Sequence, residues 1–462
     1  MGRPPALSPD MIPTLPPSPV GAFLLLALAA LPPALVRAAD WPHWHGPQRD
    51  SVWRETGVVA AFPAGGPPVR WRTPVAAGYS SPVVAGGRVF LLDRPRSQTR
   101  GNTGGALKRM AEPGIERVVC LDERSGRILW THEYDCPYDL SYPSGPRAAP
   151  EVDGDRVYTV GAEGHLHCLE AATGRVLWSR HYPRDFAART PLWGFASAPV
   201  VEGDLLLCLT GGDVHTLHAL DKRTGEVRWR ALPPREPGYS TPVVVEAGGT
   251  RQLLAWDAEA ITALRPATGE ILWSIPFKTK LAHAIGSPRL AGDRLLLSTF
   301  FDGSKLLRLA VDRPAAEEVW SIRGPSETRT EGLHSLMSTP FIADGHIYGV
   351  CAFGQLRCLR LDTGERVWET LAPTTASGKP ARHVTAFLVR HEDRFFLYNE
   401  LGQLLLLRLT PAGCEELGRA QLVKPTNRAG VREVHWSHPA FANRSVLVRN
   451  DEEIASFDLS AR

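Results

Sequence analysis

The chain has little of what cofactor and metal proteins usually rely on. Its seven cysteines stand at 120, 136, 168, 208, 351, 358 and 414, with no CxxC, no CxxCH and no adjacent pair. That spacing excludes a zinc ribbon and c-type haem attachment. An odd, scattered set also argues against a disulfide framework, leaving only Cys351 and Cys358 as a pair that could meet across a hairpin. Methionine is scarce, and beyond residue 40 no stretch of 15 residues keeps a helical period, which excludes a helical bundle. There is no long Lys/Arg run. The 52 basic side chains face 49 acidic ones, so nucleic acid is not an expected partner.

What is present is punctuation: 42 Gly and 40 Pro divide the chain into short apolar runs suited to strands. The N-terminus reads differently. Residues 1–39 are expected to be an export signal, with an apolar core from Val20 to Leu31 and small residues around Ala38 and Ala39 for cleavage. About a dozen apolar residues are too few to span a bilayer comfortably. No cysteine lies near the cleavage region to carry a lipid. A periplasmic or secreted protein without a stable membrane span, and monomeric, is the expectation. Residues 40–68 form an N-terminal extension and 69–462 the folded domain.

The domain is repetitive. Leu121-Asp122…Gly126…Trp130 recurs as Leu169-Glu170…Gly174…Trp178, Leu220-Asp221…Gly225…Trp229, Leu264…Gly269…Trp273 and Leu361-Asp362…Gly364…Trp368. Trp71 begins the series, Trp320 keeps its register, and Leu417 replaces the ring in the weakest copy. Each repeat, roughly 48 residues long, holds four strand-like runs. In the second copy these are 149–152, 157–160, 166–169 and 176–179, divided by Asp153-Gly154-Asp155 and by Ala172-Thr173-Gly174. Four short antiparallel strands make one blade, and a blade alone buries too little, so blades must stack. The repeated tryptophans are expected to pack between successive blades. The C-terminus supplies three strands and Val69-Arg70-Trp71-Arg72 a fourth, predicting an all-β, eight-bladed β-propeller whose last blade is closed by the N-terminal strand. Cys120, Cys168 and Cys358 share a repeat position with Ala219 and Ala263, the mark of a small buried residue.

The Leu-Asp-x-x-Thr-Gly-x-x-x-Trp motif resembles the docking repeat of the PQQ-like (quinoprotein alcohol dehydrogenase-like) propellers over residues 69–459. Trp41-Pro42-His43-Trp44-His45-Gly46-Pro47 resembles the opening of an exported, BamB-like subfamily. The dehydrogenases of that superfamily hold their quinone under a disulfide of adjacent cysteines and bind Ca²⁺ through Glu, Asn and Asp. PQQ with Ca²⁺ is thus the cofactor the resemblance brings, although its usual ligands are not identifiable in this sequence. No metal ligands are assigned. Three functions remain open: a non-catalytic module that binds a protein or peptide, such as an envelope protein; a PQQ-dependent or other small-molecule oxidoreductase; and a carbohydrate- or polymer-binding module.

Binding residues concentrate on loops held by a rigid scaffold. One face of the ring has minimal turns, while the other carries the long loops entering each innermost strand. Counting three residues before each inner-strand proline gives Tyr79, Arg147, Ala196, Tyr239, Ile285, Met337 and Trp436. Equivalent blades would place these in a ring at the channel mouth, aromatic with one Arg, suited to a flat or anionic ligand or a peptide. Such rings could equally just plug the channel. The candidate binding residues are Tyr79, Arg147, Trp193, Tyr239, His334, His435, Trp436 and His438. Trp71, Trp130, Trp178, Trp229, Trp273, Trp320 and Trp368 are assigned to docking between blades. Residues 94–116 form a Gly-rich insertion with Arg94, Arg96, Arg100, Lys108 and Arg109, expected to be flexible and either a basic flap or a tolerated excursion. His165-x-His167 has a spacing that metals use, but no third ligand is apparent.

Overall fold

The computed structural model describes residues 1–2, 40–95, 105–430 and 432–461. The expected export signal therefore falls almost wholly outside the described residues, as do Arg96 and Arg100. Among the described residues no helix is long and apolar enough to cross a membrane.

Eight four-stranded antiparallel sheets succeed one another around a ring. Blades 1 to 7 run in chain order from innermost to outermost strand and span 83–135, 151–181, 200–231, 243–276, 289–322, 341–370 and 386–421. Blade 8 takes 440–442, 445–449 and 453–458, with Val69–Pro74 as its outer strand. Trp71 pairs with Ser456 and Pro74 with Glu453.

The same local device recurs in every blade. A bulge in the outer pair falls next to the tryptophan position, between Cys120 and Leu121 in blade 1 and between Cys168 and Leu169 in blade 2. A bulge bends and re-aims its strand, and here it tips the indole toward the next blade. The Trp130 Nε1 donates to the Ala171 carbonyl at 3.1 Å, and Trp178, Trp229, Trp320 and Trp368 repeat that contact on Lys222, Pro266, Leu361 and Thr410. Under Trp130, Trp178 and Trp229 the receiving turn must contain glycine. Gly174 has φ +75, and a Cβ there would sit 2.5 Å from the Trp130 ring. Cys120, Cys168 and Cys358 lie opposite these rings and are fully buried, and all seven cysteines are free, including Cys351 and Cys358.

The two departures from the pattern have physical causes. Trp273 faces the long turn that ends blade 5's third strand, which has no glycine, and donates instead to Gln252 Oε1 at 2.7 Å within its own blade. Leu417 in blade 7 would have to dock on a hairpin between the last two strands of blade 8. That hairpin does not exist, because those strands come from opposite ends of the chain. Phe62 covers Gly418 there instead.

Residues 40–68 lie across the minimal-turn face. Trp41 exchanges two backbone hydrogen bonds with Val84, Trp53 N donates to Arg390 O, and Ala461 N donates to Gly57 O. The rings of Trp41 and Trp53 pack on Phe441 at 5.9 and 5.1 Å. They join blades 7, 8 and 1 into the largest apolar cluster, at the place where the ring closes.

Candidate functional site

The residues preceding the innermost strands form two tiers around the channel, because extended chain directs every second side chain inward. The upper tier, three places before each proline, is large: Tyr79, Arg147, Tyr239, Ile285, Met337 and Trp436, with Ala196. The lower tier, one place before it, is mostly small: Ser81, Ala149, Ala198, Thr241, Ser287 and Thr339, with His438.

The small tier leaves room that the N-terminal extension fills. Trp44 Nε1 donates to Ser287 Oγ at 3.2 Å on blade 5, while its ring lies 4.9 Å from His438 on blade 8, so the indole crosses the channel axis. His45 Nε2 meets Thr339 Oγ1 at 3.1 Å, and its Nδ1 hydrogen-bonds with Ser51 Oγ at 2.7 Å. A buried ionic cluster fixes this segment. Glu151 takes His43 Nδ1 at 3.0 Å, the Arg49 guanidinium and Val201 N at 3.0 Å. Burial alone would push its carboxyl up, but Arg49 and His43 outweigh that and hold it at about 2.

Above Trp44 a cavity of about 190 Å³ remains. All seven upper-tier residues line it, together with Tyr142, Trp193, His283, His383, Phe387 and Ala106. Tyr79 and Trp436 face each other at 6.2 Å, Tyr142 stands edge-on to Trp436 at 5.6 Å, and Trp193 meets Tyr239 at 5.7 Å. Of the candidate binding residues, Tyr79, Arg147, Trp193, Tyr239, Trp436 and His438 come together here.

His334 and His435 do not line this cavity. His334 Nε2 accepts from Gly324 N at 3.3 Å, so its proton is on Nδ1, which donates to Phe300 O at 2.8 Å. His435 Nε2 donates to Ser437 O at 3.1 Å and its ring packs edge-on to Tyr398. Both imidazoles are consumed inside the blades. Sequence reasoning left Trp44, Tyr142, His283 and His383 out of the binding set. The last three lie on the long loops that enter the innermost strands, whereas Trp44 carries no repeat signal at all.

The electrostatics are simple. Burial lowers His283 to about 3 and His438 to about 4, and His383 goes to about 4 through burial and its neighbours Arg382 and Arg432. These imidazoles are neutral at ordinary pH. Arg382 and Arg432 beside the mouth are paired with Glu327 and Glu400. Arg147 differs: it donates to the carbonyls of Gly145, Ser141 and Tyr142, and no carboxylate lies within ion-pair distance of it among the described residues. Its guanidinium lies 5.2 Å from the Tyr79 ring centroid. Among the described residues it is the one permanent charge in the cavity lining.

The described part of the 94–116 insertion is tied down. Residues 110–112 pair with 138–140, and Arg109 donates to Asp139 O and Thr190 O. The Ala106 carbonyl accepts from Trp193 Nε1 at 2.9 Å. Arg94 is buried over the Tyr138 ring at 3.6 Å and donates to Cys136 O, so it is no part of a basic flap. His165 stacks on His181 and His167 packs against Tyr134 between blades 1 and 2. No group of three His, Cys, Asp or Glu able to hold a metal occurs among the described residues.

These features define a closed eight-bladed repeat propeller with one cavity-bearing, loop-rich mouth. The chain belongs to the family described as outer membrane protein assembly factor BamB, which matches residues 115–370 and 215–460. Among solved structures, BamB from Moraxella catarrhalis is 15% identical and covers 85% of this chain and 99% of its own, with a TM-score of 0.51. Quinohemoprotein alcohol dehydrogenase from Comamonas testosteroni is 12% identical, covering 92% of this chain and 81% of its own at a TM-score of 0.56. The corresponding enzyme ADHIIG from Pseudomonas putida HK5 gives 13%, 92%, 81% and 0.54. At such identities the likeness is one of fold. No curated protein matches the sequence.

A calcium-held quinone does not fit this lining. Among the described residues the cavity presents no carboxylate or carboxamide to coordinate Ca²⁺, and its volume is below the roughly 300–1,000 Å³ of sites for drug-sized ligands. No chemical step is assigned through that group.

Proposed function

We propose that this protein is an exported, non-catalytic binding module that captures a protein or peptide partner on its loop-rich face. The observation that carries this reading is the asymmetry of the channel. One end is filled by the protein's own Trp44 and His45, while the other opens through an aromatic rim on seven blades. Aromatic rings offer large contact area at small entropic cost, and they and Arg are enriched where partners bind tightly. Membership of the BamB family supports a protein partner and an envelope location.

The test is affinity capture from an envelope extract, comparing the wild type with the triple variant Tyr79→Ala, Tyr239→Ala, Trp436→Ala, followed by cross-linking. Loss of a partner whose cross-links map to the mouth is the expected result. A partner retained by the triple variant, or cross-linked to the minimal-turn face, would overturn the reading.

A further inference from the structure

The cavity and Arg147 together specify a ligand chemistry, which rests on reading the loop-rich face as the binding face. The cavity's volume, about 190 Å³, is slightly larger than the engineered cavity of about 150 Å³ that holds a benzene ring. It is smaller than a site for a multi-ring cofactor. The space therefore takes one aromatic ring or a compact fused pair. Its floor is the Trp44 indole and its walls include Tyr79, Tyr239 and Trp436, surfaces on which a ring packs offset or edge-on.

Polarity within the cavity is confined to few atoms. Arg147 has five N–H groups, three of which donate to backbone carbonyls. Two donors remain on a guanidinium with no carboxylate partner among the described residues. A half-buried cation with no carboxylate partner among the described residues favours an anion and disfavours an ammonium group. His283 adds a second unsatisfied atom: it lines the cavity, is 6% exposed, and its Nδ1 has no hydrogen-bond partner. Unsatisfied buried polar atoms in a native structure call for a partner.

We infer that the cavity binds a carboxylate carrying an aromatic ring on a short linker, with the ring against Trp44 and the carboxylate at Arg147. This chemistry has two sources, a free aromatic acid or the C-terminal aromatic residue of a polypeptide.

Calorimetry on the full-length protein tests this with defined probes: indole-3-acetate, its neutral amide, a short peptide ending in Trp, and the same peptide with an amidated C-terminus. Each acid should bind at least about 10-fold tighter than its amide, as expected for a charge-assisted hydrogen bond. Arg147→Met should erase that difference. Because Arg147 also orders the 141–145 loop, Ala196→Phe provides a second variant, which fills the cavity while retaining Arg147 and should abolish binding of both acids. PQQ with Ca²⁺ serves as the size control and should not be retained.

Binding of the free acid alone assigns a small-molecule ligand, and binding of the Trp-ended peptide alone assigns a polypeptide terminus. Equal affinity for acids and amides, binding that survives Ala196→Phe, or no binding by either acid would overturn the inference. None of these probes requires the partner protein. If the titrations fail while partner capture still depends on Tyr79, Tyr239 and Trp436, the inference falls and the broader reading stands.

Discussion

The two ends of the channel are built from the same repeats and finished in opposite ways. At the minimal-turn end, small lower-tier side chains admit a segment from outside the repeat, and every polar group of His45 and Glu151 finds a partner. At the loop end, large side chains stand around a cavity of about 190 Å³, with His283 Nδ1 unpartnered and Arg147 without a carboxylate partner among the described residues. A finished end contributes stability, whereas an unfinished end retains the capacity to bind.

Acidification should disturb this arrangement most, because several groups add. His283, His383, His435 and His438 have folded-state values near 3 to 4, below their ordinary value of about 6.5. Between those limits the unfolded chain binds more protons, so stability is lost as pH falls from about 6.5 toward 4. Denaturant midpoints measured across that range should drop steadily, and His438→Asn should flatten the slope. A flat profile in the wild type would show that these imidazoles are not held neutral. The Glu151 carboxyl acts lower on the scale: held at about 2 in the folded chain against about 4.5 when unfolded, its contribution to stability is lost chiefly as pH falls from about 4.5 toward 2.

Next in size is Arg49→Ala, which leaves Glu151 buried without its guanidinium and should cost about 3–5 kcal/mol by chemical denaturation. Trp44→Ala should cost about 3 kcal/mol and enlarge the cavity from below. At the other end, Trp193→Ala removes a half-buried ring and one hydrogen bond and should cost about 1 kcal/mol. Equal losses at Trp44 and Trp193 would break the contrast between the ends. The smallest effect expected is for Leu417→Trp, within about 0.5 kcal/mol of zero, because no glycine hairpin exists to receive the ring. A clear gain in melting temperature would refute that account of the missing tryptophan.

The repeat was legible because its parts are local: a Gly turn, a tryptophan four places on, and a proline before every inner strand except that of blade 7. Those prolines also made the upper tier readable, since a fixed offset from a fixed element gives a fixed direction. His334 and His435 share the long loops but not that offset, and their rings turn into the blades to bond carbonyls. Trp44 was not legible as a floor. It belongs to no repeat, and its place depends on how small Ser287, Thr339 and Ala149 are, residues distant in sequence. The insertion was read from composition, which reports polarity but not the pairing of 110–112 with 138–140.

The way blade 8 is completed also sets the order of events in time. Trp71 pairs with Ser456, nearly the whole chain away, and that loop must close before the contact can form. A chain synthesised from its N-terminus holds Val69–Pro74 unpaired until residues 453–458 have emerged. Contacts of such long range form slowly, and throughout that wait blade 7 and blade 1 present open sides. Closure of the ring therefore rests on a contact of very long sequence separation, the kind expected to form slowly.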